Sequence, residues 1–142
     1  MKILGTKYSH VSFLIWDDLG KKIATFECVL SGGVVVTGEK WWDQKHKVIF
    51  QHDFTIDEEK MQQFIYAAFD SCGEPYSLLQ NIGIEVSKFF NLKRNIFSNG
   101  RKASNCSELV ERFGKFVGLE IDVNPDMVTP KDVVHALKKL GK

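Results

Sequence analysis

Apolar positions along the chain change their period once, near residue 55. Before that point they fall in short β-forming runs or alternate at period two, and after it they recur at three- and four-residue steps. Residues 10–16 (HVSFLIW) form the first run and end in the polar turn Asp17-Asp18-Leu19-Gly20, which predicts a strand and a reversal. Residues 22–29 (KIATFECV) supply a second strand. Ser31-Gly32-Gly33 breaks the chain before a third apolar run, Val34-Val35-Val36. The three read as antiparallel neighbours. In residues 47–54 (KVIFQHDF), Val48, Phe50, His52 and Phe54 share one face at period two, so a fourth strand is expected there.

Four helices follow in the pattern. Thr55 and Glu58 have capping-box spacing ahead of the stripe Met61, Phe64, Ile65, Ala68, Phe69 and Cys72, which puts Cys72 in the core. A second helix is expected from about Tyr76, with Leu78, Leu79, Ile82, Val86, Phe89 and Phe90 on its apolar face and Gly83 in its middle. A third starts near Asn105, turns Leu109, Val110, Phe113 and Val117 inward, and stops at Gly118. The last has Thr129 as cap, Pro130 in the first position, and Val133, Val134, Leu137 and Leu140 as its apolar face. Strands first and helices afterwards imply an α+β fold, a small antiparallel β-sheet with helices packed on it, in a single domain over residues 1–142.

Composition narrows the function classes. A chain of 142 residues buries a core without disulfide or metal staples, and 44% hydrophobic with 26% charged residues excludes wholesale disorder. The 19 Lys+Arg against 18 Asp+Glu leave a net charge of +1, without the footprint of a nucleic-acid partner. No apolar run approaches the roughly 20 residues of a transmembrane segment, and residues 1–10 lack a signal-peptide core, so a soluble, cytoplasmic chain is expected. Cys28, Cys72 and Cys106 are odd in number and contain no C-x-x-C pair, which argues against a disulfide scaffold. His46 and His52 match no ligand spacing and lack a third ligand, so no metal or other cofactor is implied.

The chemistry concentrates in Asn105-Cys106-Ser107-Glu108. Asn105 as N-cap with Glu108 three residues on places Cys106 in a first helical turn, where free N–H groups and the helix dipole favour a thiolate and could hold an oxyanion. The same spacing suits an ordinary interior residue at a helix start. A nucleophilic cysteine needs a base, and of the four histidines His10, at the head of a strand, is the one that can project towards a packed helix N-terminus. His46, His52 and His135 read as surface residues. Lys93, Arg94, Arg101 and Lys102 precede Cys106 in a loop, where they either attract an anion or are simply solvated. Trp41 and Trp42 are adjacent and cannot both face a core, so Trp42 is a candidate for lining a substrate cleft, with packing at a sheet edge as the alternative.

Residues 9–15 (SHVSFLI) resemble the histidine-bearing strand of NlpC-type cysteine peptidases, and residues 105–110 (NCSELV) resemble their nucleophile motif. The histidine precedes the cysteine here, an order similar to the circularly permuted papain-like group that includes relatives of lecithin:retinol acyltransferase. Gly73-Glu74-Pro75-Tyr76 resembles the G-x-P-Y stretch of these enzymes. The resemblance implies a permuted papain-like thiol hydrolase in which Cys106 is nucleophile, His10 is base and Tyr76 lies by the thiol, with a peptide or other amide as substrate. It also implies a polar residue on the strand after the histidine to orient the imidazole. Glu27 fits, because a carboxylate amid Phe26, Cys28 and Val29 needs a partner if buried, although alternation equally allows it to face solvent. An acyltransferase of the lecithin:retinol type and a non-catalytic binding domain of the same fold are the competing functions.

Overall fold

The computed structural model describes residues 9–38, 47–97 and 104–141. Three strands, β1 (Phe13–Trp16), β2 (Lys22–Val29) and β3 (Gly33–Gly38), form an antiparallel sheet in the order β1-β2-β3. The turn between β1 and β2 is held by Asp17, whose Oδ1 accepts the N–H groups of Leu19 (3.0 Å) and Lys21 (2.8 Å), while Gly20 takes φ +74°. The β1–β2 register pairs Phe13 with Phe26 and shifts by one between Ile15 and Trp16, whereas β2–β3 runs unshifted from Ala24–Gly38 to Val29–Gly33.

Four helices follow, α1 (Glu58–Ser71), α2 (Leu78–Phe89), α3 (Cys106–Gly114) and α4 (Pro130–Leu140), with short 3-10 turns at Lys115–Val117 and Pro125–Met127. Each start carries a local reason. Asp57, not Thr55, caps α1 by accepting the Lys60 N–H at 2.8 Å, with Glu58 and Glu59 in the first turn favouring the dipole. Pro130 opens α4, and the Asp132 carboxylate accepts both the backbone N–H (2.9 Å) and the hydroxyl (2.6 Å) of Thr129. The fold class is therefore α+β, as the order of periodicities implies.

Phe26 of β2, Phe64 of α1 and Phe113 of α3 meet edge to face, with centroids 4.7 to 5.7 Å apart, and Phe13 and Phe116 extend the cluster. Each such burial is worth about 1.5–3 kcal/mol and each aromatic pair about 0.5–1.5 kcal/mol more. Leu109 and Phe113 turn α3 into this cluster, while Val110 turns it into a second one with Leu119, Val128, Val133 and Ala136. Helix α3 is thus wedged between two cores, which fixes where its N-terminus points.

Three expectations fail for identifiable reasons. Residues 47–54 form no strand; alternation specifies which side chains share a face, not whether a backbone partner exists, and Phe54 packs on the second core from an irregular segment. Cys72 is exposed, because it is the C-cap of α1 and its extended backbone (ψ 133°) leaves the helical stripe before the core is reached. Helix α2 turns the opposite way from its pattern, burying Gln80, Gly83, Ile84 and Ser87 and exposing Leu78, Leu79, Ile82, Phe89 and Phe90. Gly83 explains the inversion, since a Cβ there would meet Asn95 Oδ1 at 1.8 Å, and Asn95 is itself buried with its amide nitrogen donating to the carbonyls of Gln80 and Asp126.

The connection from α1 to α2 extends the sheet. The Val34 N–H donates to Glu74 O (2.8 Å), the Gly73 N–H to Val34 O (2.9 Å), and Tyr76 forms a parallel bridge to Ser104. Gly33 permits this approach, having φ +67° and no Cβ to strike the Glu74 carbonyl oxygen, which would lie 2.0 Å away. Gly33→Ala is expected to lower stability by about 2–4 kcal/mol in urea unfolding, combining left-handed strain with displacement of this strand; a loss within experimental error would show that the segment is free to shift.

Candidate active site

Asn105 sets the site up. Its Oδ1 accepts the N–H groups of Ser107 and Glu108, each at 2.9 Å, so Asn105 is the N-cap that the spacing predicts. Cys106 becomes the first residue of α3. Since the Leu109 N–H is taken by the Asn105 carbonyl, the Cys106 N–H is the first-turn amide left unpaired among the described residues. The expectation of several free amides narrows to that one.

The extended residues entering β1 pass this helix end. His10 hydrogen-bonds the Cys106 thiol, and the Val11 backbone N–H donates to the same sulfur. On its other side His10 Nε2 lies 2.7 Å from Glu27 Oε2, which leaves Nδ1 as the nitrogen for the thiol. Glu27 is fully buried at 0% exposure and also accepts from the Thr37 hydroxyl at 3.4 Å, whereas the His10 side chain keeps 24%. Continuing the β1–β2 register puts Ser12 opposite Glu27 and His10 diagonally beyond it on the same face, within reach of two long side chains. Cys106, His10 and Glu27 are thus brought together, and Glu27 faces the histidine rather than solvent.

The pair polarises towards an ion pair. Burial alone would lower the His10 pKa, but the hydrogen bonds and negative charges of Cys106 and Glu27 outweigh it and raise it to about 9. Burial likewise pushes the Cys106 thiol up, and the hydrogen bond and charge of His10, with the Val11 amide, bring it below its ordinary value. Both shifts favour the thiolate–imidazolium form of the pair over the neutral one, and the two groups titrate as one unit. The cation acting on the sulfur is His10; Lys93 and Arg94 are exposed, and Arg101 and Lys102 lie outside the described residues.

Tyr76 lies close enough for the Cys106 charge to add to burial in raising its phenol to about 12, so it is a neutral hydroxyl. That hydroxyl accepts from Asn81 Nδ2 at 2.6 Å and keeps its own proton to donate. Asn81 was not singled out from the sequence; its position one turn into α2, five residues after Tyr76, was the available signal. Glu74, from the same segment, is pinned by Arg112 of α3 at 2.9 Å and by the Ser104 hydroxyl at 3.3 Å, which ties Tyr76 to the nucleophile helix. Cys28 faces the core, donates to the Ser104 carbonyl at 3.2 Å, and is pushed up to about 12 by burial and neighbouring negative charge. Trp42 and His46 lie outside the described residues, His52 stacks edge-on against Phe54, and His135 is exposed. Among the described residues no cluster of three or more His, Cys, Asp or Glu side chains could hold a metal.

His10 also lines an apolar groove of about 950 Å³ between β1, residues 47–56 and α4, bounded by Val11, Phe13, Phe54, Val110 and Val133. Behind the nucleophile, Glu108 is buried and its carboxyl is raised to about 7, chiefly by burial, against the opposing hydrogen bonds of Gln80 and the Asn105 amide. Glu108 Oε2 and Gln80 Oε1 are both buried without a hydrogen-bond partner.

No family model matches the chain, and neither do any curated protein or any solved structure.

With Cys72 replaced by serine, iodoacetamide is expected to modify Cys106 at a pH well below the ordinary thiol range while Cys28 stays unmodified; His10→Ala should move the onset upward to about 8.5 or beyond. A wild-type midpoint at or above that of the variant would refute the ion pair. Glu108 gives a stability signature. Its folded value of about 7 exceeds the ordinary 4.5, so the folded state holds a proton that the unfolded state releases, and stability falls as pH rises through that window. Glu108→Gln should flatten the fall in urea melts recorded across it; an unchanged slope would assign the pH dependence elsewhere.

Proposed function

We propose that the protein is a cysteine-dependent hydrolase of amide or peptide bonds. The observation that carries this reading is the chain of contacts from the buried Glu27 carboxylate through both nitrogens of His10 to a thiol at a helix N-terminus. It is the arrangement of a nucleophile, a base and a group that orients the base. The likeness of residues 9–15 and 105–110 to permuted NlpC-type peptidases supports the same chemistry.

In the proposed reaction the Cys106 thiolate attacks the carbonyl carbon, forming a C–S bond and pushing the carbonyl electrons onto oxygen. The Cys106 N–H and the Tyr76 hydroxyl are the donors at hand for that oxyanion. As the intermediate collapses the C–N bond breaks, and His10 gives its Nδ1 proton to the leaving amine. Water then adds to the thioester and yields its proton to His10, the C–S bond breaks, and the acid leaves with the thiolate restored. The Glu27 carboxylate, 2.7 Å from His10 Nε2, orients the ring and stabilises the imidazolium whenever it forms.

The test uses p-nitrophenyl acetate as a generic acyl donor, with intact-mass and peptide-level analysis of the acylated protein. Acylation is expected on Cys106, to vanish in Cys106→Ser, and to turn over about 10²-fold more slowly in Glu27→Gln, whose amide can accept a hydrogen bond but carries no charge. Acylation that persists in Cys106→Ser, or that maps to Cys28 or Cys72 in the wild type, would overturn the assignment. Wild-type turnover in Glu27→Gln would remove Glu27 from the machinery.

A further inference from the structure

The groove of about 950 Å³ beside His10 is at the upper end of the roughly 300–1,000 Å³ that ligand sites enclose, and its position relative to the thiol limits which part of a substrate enters it. Two edges of the sheet contribute to the site. Tyr76 comes from the connection whose residues Gly73 and Glu74 hydrogen-bond to Val34 of β3, while His10 precedes β1, at the opposite edge of the order β1-β2-β3. The groove belongs to the β1 edge. Residues 9–18 line it without a gap, residues 47–56 form another wall, and Tyr76 takes no part in it. Val110 also lines it, one helical turn after Cys106 and so on the same face of α3.

In the acyl transfer proposed above, the tetrahedral carbon carries the sulfur, the oxyanion, the acyl substituent and the leaving nitrogen. The oxyanion turns to the Cys106 N–H and Tyr76, and the nitrogen must lie within hydrogen-bond reach of His10 Nδ1 to take its proton. Whatever that nitrogen carries therefore starts at His10 and continues into the groove. Next to His10 the lining is apolar, with Val11 and Phe54 packed on Val110 and Val133 of the second core. Asp17 and Asp18 stand at the far end of β1, roughly 20 Å along the strand from His10, and Lys47 and Asp53 are exposed. Among the described residues β1 has one strand neighbour, β2, so the N–H and C=O groups of its outer edge are available to an extended chain.

We propose that this groove receives the leaving side of the substrate, and that the substrate is a peptide with a large apolar residue, Phe or Leu, directly after the bond that is cut. The inference rests on the thiol-hydrolase reading and adds to it the substrate's chemistry on one side of that bond. Phe54 and Val110 meet the apolar side chain, while the peptide beyond it runs along β1. Burying such a side chain discriminates against glycine by about tenfold or more.

Departure of the leaving amine, run in reverse, is attack by an added amine, which tests the groove on the acetyl-enzyme formed from p-nitrophenyl acetate. The amine nitrogen adds to the thioester carbonyl and forms the C–N bond, its proton passes to His10, and the C–S bond breaks to restore the thiolate and release an N-acetyl amide. At equal concentrations, and after subtraction of product formed with Cys106→Ser, phenylalaninamide and leucinamide are expected to yield N-acetyl product about tenfold or more faster than glycinamide. Phe54→Ala should reduce that preference several-fold, and if its thermal melt departs from wild type the wild-type amine series carries the test alone. Equal partitioning to the three amides, or the full preference in a folded Phe54→Ala, would overturn the proposal. An acetyl-enzyme that never forms on Cys106 would overturn the hydrolase reading instead. Calorimetric titration of phenylalaninamide into Cys106→Ser then decides the groove, which binding keeps as a site for an apolar peptide residue and absence of binding removes.

Discussion

A carboxylate with no exposed surface sits in the central strand of the sheet, and the arrangement of the site follows from satisfying it. Burying an ionised Glu27 without a partner would cost several kcal/mol, far more than neighbouring apolar contacts return. The strand cannot turn it outward without also turning Phe26 and Cys28 out of the aromatic core, because their faces alternate. The cost is met by His10 at 2.7 Å and Thr37 at 3.4 Å. Once the imidazole is held there, its second nitrogen has a fixed direction, and the polarity of Cys106 is a consequence rather than a separate device.

Much of this was legible in the sequence, and the legible part was local. Capping chemistry located the start of α3 to the residue, and a carboxylate among apolar neighbours marked Glu27 as a group needing a partner. The meeting of His10 with Glu27 was not legible, because it depends on register, and register was set by the Asp17 turn and the one-residue shift between Ile15 and Trp16. Residues 47–54 show the converse. Their alternation reported side chains sharing a side, and the second core uses Phe54 as such, but no ladder partner stood there to make the segment a strand.

Helix α2 is the sharper lesson. Its period was right and its buried face was wrong, since the most apolar third of the helix is the exposed one. The hydrophobic effect orients a helix only if apolar burial is available on the side that the backbone can approach closely. Here the approach is governed by Gly83 and by a buried amide, Asn95, that satisfies the Gln80 and Asp126 carbonyls. A small residue in the middle of a strongly apolar helix was the sequence clue that contact, rather than hydrophobicity, decides its orientation.

The last constraint concerns the two acids at the start of α3. A helix N-terminus offers roughly half a positive charge, and it is spent where the anion lies. Cys106 and Glu108 are two residues apart in that turn, and both being ionised would set like charges against one another in a dry site. The fold separates them. Burial raises the Glu108 carboxyl to about 7, whereas His10 and the Val11 amide bring the thiol below its ordinary value. The same burial that makes a carboxyl reluctant to ionise therefore leaves more of the helix field to the sulfur, and the cost of desolvating Glu108 has a use in limiting like-charge repulsion beside the thiol.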